Sequence, residues 1–127
     1  MIAKTIKYKD FNGTEREEKF FFNLTKAEVT EMELSTSGGL GESIKQIVAA
    51  QDTPQIIKIF KELILKAYGE KSLDGKRFKK LDESGVPLSI AFSETEAYSN
   101  LFMELATNDV AAAEFVNGIM PADLNEK

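Results

Sequence analysis

The first 24 residues alternate between apolar and polar positions with a period of two. In the first run, Ile2, Ile6 and Tyr8 share one side, and lysines occupy the other. This alternation is typical of a half-buried strand. A turn sequence, Asp-Phe-Asn-Gly, follows it, and a second alternating run leads up to Leu24. The pattern predicts a β-hairpin over residues 1–24.

The second run ends with three consecutive phenylalanines, Phe20, Phe21 and Phe22. Consecutive side chains of a strand point to opposite faces, so both faces of the predicted hairpin are apolar at this point. One face must pack on helices, and the other must be covered by something else. An isolated hairpin is marginally stable in water, so we expect this one to dock on the rest of the chain or on a neighbouring molecule.

Beyond Leu24 the apolar spacing changes to that of helices. Thr25 and Glu28 have the spacing of a capping box, and Leu24 with Val29 forms a hydrophobic staple. The strongest amphipathic pattern, over about Pro54–Tyr68, predicts that this helix is the central and most buried one. About five short helices are predicted in all. The first three run from Thr25 to a stop at Ser37-Gly38-Gly39, over Leu40–Ala50, and over about Pro54–Tyr68. The fourth runs from the Ser93/Glu96 capping box to about Thr107, and the fifth spans Val110–Ile119, between an Asn108 cap and Met120-Pro121.

A polar connection over about residues 70–92 separates the predicted central helix from the last two helices. It contains an Asp74-Gly75 turn and a Gly-Val-Pro sequence that breaks helices. Its apolar residues could anchor it or form a short strand. The chain is therefore predicted to be one domain, residues 1–127, of the α+β class and mostly α-helical, with the hairpin followed by a compact helical bundle over residues 25–127.

Composition narrows the chemistry available to such a domain. The 127 residues include no cysteine and no histidine, the side chains that most often bind transition metals or activate nucleophiles. Asp74 could begin a calcium loop, but lysine and arginine occupy the positions of the further ligands. The glycines at 38, 39 and 41 could bind an anion, yet no P-loop lysine follows them. We therefore predict no metal, no cofactor and no enzyme activity.

Membranes and nucleic acids are also poor candidates as partners. The longest apolar run, around residues 56–65, is interrupted by lysine and glutamate and is too short to span a membrane. No apolar segment follows the N-terminal lysines, so no secretory signal is predicted. A net charge of -5 argues against binding of nucleic acid. We expect a soluble, cytoplasmic protein.

The charge is unevenly distributed along the chain. Residues 71–80 contain five bases and one acid, whereas residues 82–127 contain nine acids and one base. One interpretation is a solvated loop followed by acidic helices. The other is a polar molecule whose two ends attract each other, either within the chain or between subunits. The sequence alone leaves both open.

The number of apolar residues is hard to accommodate in the core of one small domain. Scattered hydrophobic residues occur on every protein surface, but a contiguous group marks an interaction site. We expect the second strand of the hairpin and the C-terminal helices to contribute surface that faces another protein, with ordinary core packing as the alternative for each residue. The candidate residues are Phe20, Phe21, Phe22, Phe102, Met103, Phe115, Ile119 and Met120.

Four stretches in order resemble the tail assembly chaperones of long, non-contractile-tailed phages and prophages of Gram-positive bacteria. Together they extend over nearly the whole chain, and none is a catalytic fingerprint. They are YKDFNGTEREEKFFFNLTKAEVTEMELS (8–35), IIKIFKELILKAYGEKSLDGKRF (56–78), FSETEAYSNLFMELATN (92–108) and FVNGIMPADL (115–124).

The resemblance implies a role in assembling the tail and no place in the finished virion. Proteins of this family bind the long, helical tape-measure protein in the host cytoplasm, keep it soluble and help recruit tail-tube subunits. Many proteins of the family are also made in a longer form by ribosomal frameshifting. The resemblance therefore implies a longer form of this chain as a further partner. Self-association into a homo-oligomer is a further expectation, because an edge-prone hairpin lies beside apolar surface.

Another class of function remains open from the residues alone. A small phage protein that regulates or inhibits a host or phage protein would show the same exposed apolar surface. The position of the gene would discriminate between the two, because a tail chaperone gene lies between the tube gene and a very long tape-measure gene. An enzyme is a distant third alternative.

Overall fold

Two antiparallel strands begin the chain, as the alternating pattern predicts. A computed structural model describes residues 1–34 and 53–121. Strands β1 and β2 pair along their whole length, from Ile2 opposite Phe22 to Lys9 opposite Glu15. The elements are β1 (Ile2–Lys9), β2 (Glu15–Phe22), α1 (Lys26–Leu34), α2 (Thr53–Ala67), β3 (Tyr68–Lys71), β4 (Phe78–Lys79), α3 (Leu88–Ser93), α4 (Glu96–Thr107) and α5 (Asp109–Ile119).

The hairpin is extended into a four-stranded sheet by two short strands from the middle of the chain. The strand order is β1-β2-β3-β4, and all neighbours are antiparallel. Strand β3 starts directly after α2 and pairs with the end of β2, so Gly69 lies in a strand opposite Phe21 and does not cap a helix. The expected connection over residues 70–92 therefore contains half of β3, all of β4 and nearly all of α3.

The two faces of this sheet have different surroundings. On the inner face, Ile6 and Phe22 are buried, and on the outer face neighbours such as Ala3 and Lys19 are exposed. The helices pack on the inner face, where one core takes side chains from the sheet and from all five described helices. The core residues are Ile6, Phe22, Leu24, Val29, Leu63, Ile64, Ala67, Phe92, Ala97, Leu101, Leu105, Phe115 and Ile119.

Local capping signals account for most of the observed helix ends. The Thr25 backbone N–H donates to Glu28 Oε1 at 2.9 Å, and the Glu28 N–H donates to Thr25 Oγ1 at 3.2 Å, which confirms the capping box of α1. The Asn108 side chain accepts from the Ala111 N–H at 3.0 Å and caps α5 as predicted. Helix α5 ends at Ile119, directly before Met120-Pro121.

The predicted cap of α4 is wrong. Ser93 is the last residue of α3, and its hydroxyl donates back to the Ile90 carbonyl at 2.7 Å. Thr95 caps α4 instead, because its Oγ1 accepts from the Tyr98 N–H at 3.2 Å. The sequence contains two hydroxyl residues near this start, and the short α3 helix occupies the first of them.

The α+β prediction with an N-terminal hairpin is confirmed, and five helices occur in the described ranges. The expected helix at Leu40–Ala50 lies outside those ranges, as does the predicted stop after α1, and α3 is a helix that the pattern did not predict. Helix α2 buries Leu63, Ile64 and Ala67 in its C-terminal half, while Ile57 remains 42% exposed. Among the side chains described, it therefore contributes no more fully buried residues than α4 does.

Candidate protein-binding surfaces

The eight residues predicted to face a partner divide into three groups by exposure. Phe22, Phe115 and Ile119 are fully buried, and Phe22 and Phe115 contact each other with ring centroids 5.3 Å apart. These three lie in the core, as the alternative of ordinary core packing expects. The partly exposed residues are Phe20, Phe21, Phe102 and Met120, and Met103 is exposed.

Phe20 and Met120 both pack against the core. The Phe20 ring lies on the inner face, 5.2 Å from the Phe92 ring and 6.3 Å from the Tyr68 ring, measured between centroids. Met120 directly follows α5, where its backbone N–H donates to the Val116 carbonyl. Both residues border the core and have only part of their surface available to a partner.

Phe21 lies on the opposite, outer face of the sheet. Its strand neighbours there are Ala3 and Gly69, and its side chain is partly exposed. The Phe78 ring lies over Gly69, because a Cβ added to Gly69 would be only 2.6 Å from that ring. Since Gly69 has no side chain, the Phe78 ring can occupy the space beside Phe21. The Lys71 ammonium lies 6.0 Å from the Phe21 ring centroid. We call Phe21, Lys71 and Phe78 the outer-face patch.

The turn between β3 and β4, residues 72–77, carries Lys76 and Arg77 at the β4 edge of the sheet. Asp74 stabilises this turn, because its Oδ1 accepts from the Ser72 hydroxyl at 2.7 Å and from the Lys76 N–H at 3.0 Å. The backbone bond and then the hydroxyl bond lower the pKa of the Asp74 carboxyl group. Gly75 has a φ of 75°. The Asp74 carboxylate therefore stabilises the turn. We call residues 72–77 the basic turn.

Lys80 belongs to the same basic stretch of sequence but is turned inward. Its Nζ donates to the carbonyl oxygens of Asn23 and Lys66 and to Glu28 Oε2, at 3.0, 2.5 and 3.0 Å. Burial lowers the pKa of Lys80 in spite of the nearby carboxylate. Burial opposes ionisation of Glu28 too, but hydrogen bonds from Thr25 and Lys80 outweigh it and lower the pKa of that carboxyl. Lys80 therefore joins the end of the hairpin to α1 and α2.

Two shallow grooves border Leu65, which is partly exposed near the end of α2. The larger, of about 660 Å³, takes its apolar lining from Met32, Tyr68, Leu81, Pro87 and Leu65 itself. The smaller, of about 440 Å³, is lined by Leu65, Tyr98 and Phe102 together with Lys61 and serines. Because Leu65 lines both, apolar surface is continuous from one groove to the other. We call Met32, Leu65, Tyr68, Tyr98 and Phe102 the α2 tract.

The apolar pattern did not reveal the α2 tract, apart from Phe102. Leu65 falls outside the buried stripe of its helix, and only its position between two grooves gives it significance. The apolar spacing predicts Tyr68 at the end of a helix, but Tyr68 is the first residue of strand β3 and stacks on Phe92 with ring centroids 4.2 Å apart. Grooves of this kind arise from the packing of distant segments, so no local spacing in the sequence predicts them.

Helices α4 and α5 expose a second apolar and acidic surface. Met103, in the last turns of α4, is 54% exposed, and Val110, in the first turn of α5, is 68% exposed. Val110 and Glu114 are four residues apart on α5 and therefore lie on the same side of the helix. Asp109 and Glu114 are both exposed. We call Met103, Asp109, Val110 and Glu114 the acidic junction.

The described residues contain no group of three or more acidic side chains placed to hold a metal ion. In the same ranges, the helices are too short or too polar for any of them to cross a membrane. The candidate binding surfaces that we consider in the described ranges are the outer-face patch, the basic turn, the α2 tract and the acidic junction. Each has apolar side chains with charged groups within or beside it, which suits contact with other proteins.

Comparison with known proteins gives one match. A family model described as "Phage tail assembly chaperone" matches residues 1–127, the whole chain. The search of curated proteins found no match, and neither did the search of solved structures.

Proposed function

The chain belongs to the phage tail assembly chaperone family, and we propose that it binds the tape-measure protein, keeps it soluble and helps recruit tail-tube subunits around it. The observation that carries this proposal is the family match over all 127 residues. The sequence resemblance described above supports it further, with Gram-positive hosts and non-contractile tails as the proposed setting. Its role is proposed to end before the virion is complete, in the cytoplasm of the host.

The α2 tract is the surface that we propose for the tape-measure protein. A long amphipathic helix presents apolar side chains at intervals of three and four residues, and such a helix binds in a shallow apolar groove. The two grooves on either side of Leu65 offer that shape. Methionine and aromatic side chains, here Met32, Tyr98 and Phe102, adapt to different apolar partners along one helix.

Charge around the α2 tract favours reversible contact with many successive segments. Lys61, Glu62 and Lys66 lie at the rim of the grooves, where they remain hydrated and add little binding free energy. The net charge of -5 keeps a loaded complex soluble through mutual repulsion. We propose that several copies cover one tape-measure protein and that the longer, frameshifted form joins them to the tube subunits.

The direct test is co-expression with the tape-measure protein of the same genome. We expect most of the tape-measure protein to remain soluble, and to co-purify, only when this chain is present. If it remains insoluble both with this chain and with the longer form, the proposal is wrong. In that case a protein that regulates or inhibits another phage or host protein becomes the preferred interpretation.

A substitution within the α2 tract tests the proposed surface. We expect Phe102→Ser to reduce co-purification of the tape-measure protein, because it removes one of the two aromatic rings that line the smaller groove. Phe11→Ser is the matched control, since Phe11 is 76% exposed in the hairpin turn. Circular dichroism of both variants reports whether the fold is kept. Equal co-purification of two folded variants would show that the tape-measure protein binds elsewhere.

A further inference from the structure

The two grooves of the α2 tract differ in charge. The larger groove is lined by Glu28, Glu62, Lys66 and Lys80 in addition to its apolar residues. Glu28 and Lys80 are already paired with each other at 3.0 Å, and the remaining two have opposite signs. Among the described residues that line the smaller groove, Lys61 alone is charged. The smaller groove therefore presents a positive charge, whereas the charges of the larger groove balance.

Lys61 lies next to apolar surface in the smaller groove. Lys61 and Leu65 are four residues apart on α2, so their side chains lie on the same side of the helix, one turn apart. Lys61 is exposed and takes part in no ion pair within residues 1–34 and 53–121. A partner that places an apolar side chain on Leu65 therefore brings a neighbouring group within reach of the Lys61 ammonium.

The hydroxyl groups of the smaller groove also suit a hydrogen-bond acceptor. Tyr98 and Ser99 line it, and their hydroxyls can donate hydrogen bonds. Burial raises the pKa of Tyr98, so its phenol keeps its proton at neutral pH. The Ser93 hydroxyl already donates to the Ile90 carbonyl. An ammonium group with hydroxyls beside it matches a carboxylate, which only accepts hydrogen bonds and carries the opposite charge.

Helix α2 is locally basic in a chain that is acidic overall. Its charged residues are all exposed, and they are Lys58, Lys61, Glu62 and Lys66. The net charge of the chain is -5. At physiological salt the Debye length is about 8 Å, so acidic groups farther away than this act only weakly on a partner in the groove. The nearby lysines therefore decide which charge the groove attracts.

We propose that the α2 tract selects segments of the tape-measure protein in which a carboxylate lies one helical turn from an apolar anchor, with Lys61 as the specificity-determining residue. This inference rests on the proposed function, because it specifies which segments of that partner the tract binds. The anchor enters the smaller groove beside Leu65 and Phe102, and the carboxylate pairs with the Lys61 ammonium.

The charge difference between the grooves also gives the bound helix one direction. A helix that carries the carboxylate near one end places that end on the smaller groove, since the larger groove has no net charge to offer. A hydrated ion pair of this kind adds little affinity, but it speeds the encounter and suppresses the wrong orientation. Selection among segments therefore rests on the association rate more than on the strength of the final complex.

Overlapping peptides that cover the tape-measure protein of the same genome test the selection. We expect the bound peptides to be those with aspartate or glutamate three or four residues from an apolar side chain. For one bound peptide, replacing that glutamate by glutamine should slow association a few-fold, and replacing it by lysine should slow it about tenfold at low salt. Stopped-flow fluorescence of a labelled peptide measures these rates. Equal rates for all three peptides would overturn the inference.

Charge reversal on the chain identifies Lys61 as the group that selects. We expect Lys61→Glu to bind the glutamate peptide about tenfold more slowly than the unmodified chain does, and to prefer the lysine peptide. Lys9→Glu is the matched control, because Lys9 is exposed on the outer face of the sheet and the change in net charge is the same. Circular dichroism checks that both variants keep the fold.

The outcomes distinguish this inference from the proposal on which it rests. If Lys61→Glu and Lys9→Glu bind the peptides at equal rates while the tape-measure protein still co-purifies, the inference is wrong and the chaperone proposal stands. If the unmodified chain binds neither the peptides nor the whole tape-measure protein, both are wrong. A preference of Lys61→Glu for the lysine peptide, absent from the control, supports the inference.

Discussion

Phe21 and Phe22 are neighbours in the same strand but have different surroundings. Phe22 is 0% exposed on the inner face, where its ring contacts those of Tyr68, Phe92 and Phe115. Phe21 lies partly exposed on the outer face, with a lysine above its ring. The comparison shows that one apolar tripeptide supplies both the core and a candidate contact surface.

The same division recurs among the basic residues of the middle of the chain. Lys80 faces inward and joins three segments, whereas Arg77 is exposed and takes part in no ion pair in the described ranges. Residue type therefore does not decide the role of a side chain here. Its burial and its contacts do, and the predictions below compare buried and exposed positions of the same kind.

The largest effect is expected for Phe22→Ala. Removing a buried phenylalanine leaves a cavity, which costs about 3–5 kcal/mol of unfolding free energy. A domain of this size has about 5–15 kcal/mol in total, so this variant should lose a large fraction of its stability. Urea denaturation followed by circular dichroism measures the loss.

Phe21→Ala is the matched control for the inner-face variant. We expect it to lower the free energy of unfolding by about 1 kcal/mol or less, because its ring is already partly hydrated. Equal loss of stability in the two variants would show that the outer face is packed as tightly as the inner face.

A medium effect is expected for Lys80→Met, which keeps an apolar side chain but removes the ammonium. The Asn23 and Lys66 carbonyls and Glu28 Oε2 would each lose their hydrogen bond from Lys80. We expect a loss of about 2 kcal/mol in the free energy of unfolding, since unsatisfied, partly buried polar groups are costly. Thermal and urea denaturation measure it.

Arg77→Met provides the outward-facing counterpart in the same basic stretch. Its guanidinium is exposed, so the free energy of unfolding should change by no more than about 0.5 kcal/mol. If Lys80→Met and Arg77→Met lowered the free energy of unfolding equally, the three hydrogen bonds of Lys80 would make no net contribution to stability.

Local features of the sequence predicted the hairpin and the caps of α1 and α5. The alternation of Ile2, Ile6 and Tyr8 and the spacing of Thr25 and Glu28 involve residues that are close in sequence, so their signals can be read directly. The sequence also predicted that both faces of the strand are apolar at Phe20–Phe22. Which face the helices cover depends on contacts between distant segments.

Tertiary contacts account for what the sequence did not predict. Strand β4 has two residues, Phe78 and Lys79, and β3 is a strand because the edge of β2 is available to it. No periodic pattern is visible over so few residues. The candidate surface was predicted in part. Phe21, Phe102 and Met103 are accessible, but nothing in the spacing distinguishes them from the buried Phe22, Phe115 and Ile119.

A small effect is expected for the pH dependence of stability that Glu28 contributes. Burial opposes its ionisation, but bonds from Thr25 and Lys80 lower its pKa in the folded chain. Its contribution to stability is therefore fully present above the unfolded pKa of about 4.3 and is lost as the pH falls through the lower folded pKa.

Glu28→Gln should show this loss as a flatter acid limb in its stability curve, by less than about 1 kcal/mol for a partly exposed pair. Asp10 and Asp74, whose pKa values are also lowered, titrate in both proteins, so the difference between the two curves isolates Glu28. Urea denaturation at intervals between about pH 3 and pH 6 provides the curves. Parallel curves would mean that the bonds from Lys80 and Thr25 stabilise the carboxylate in the folded chain no more than water does in the unfolded chain. The Glu28 carboxylate would then orient these groups without adding to the free energy of unfolding.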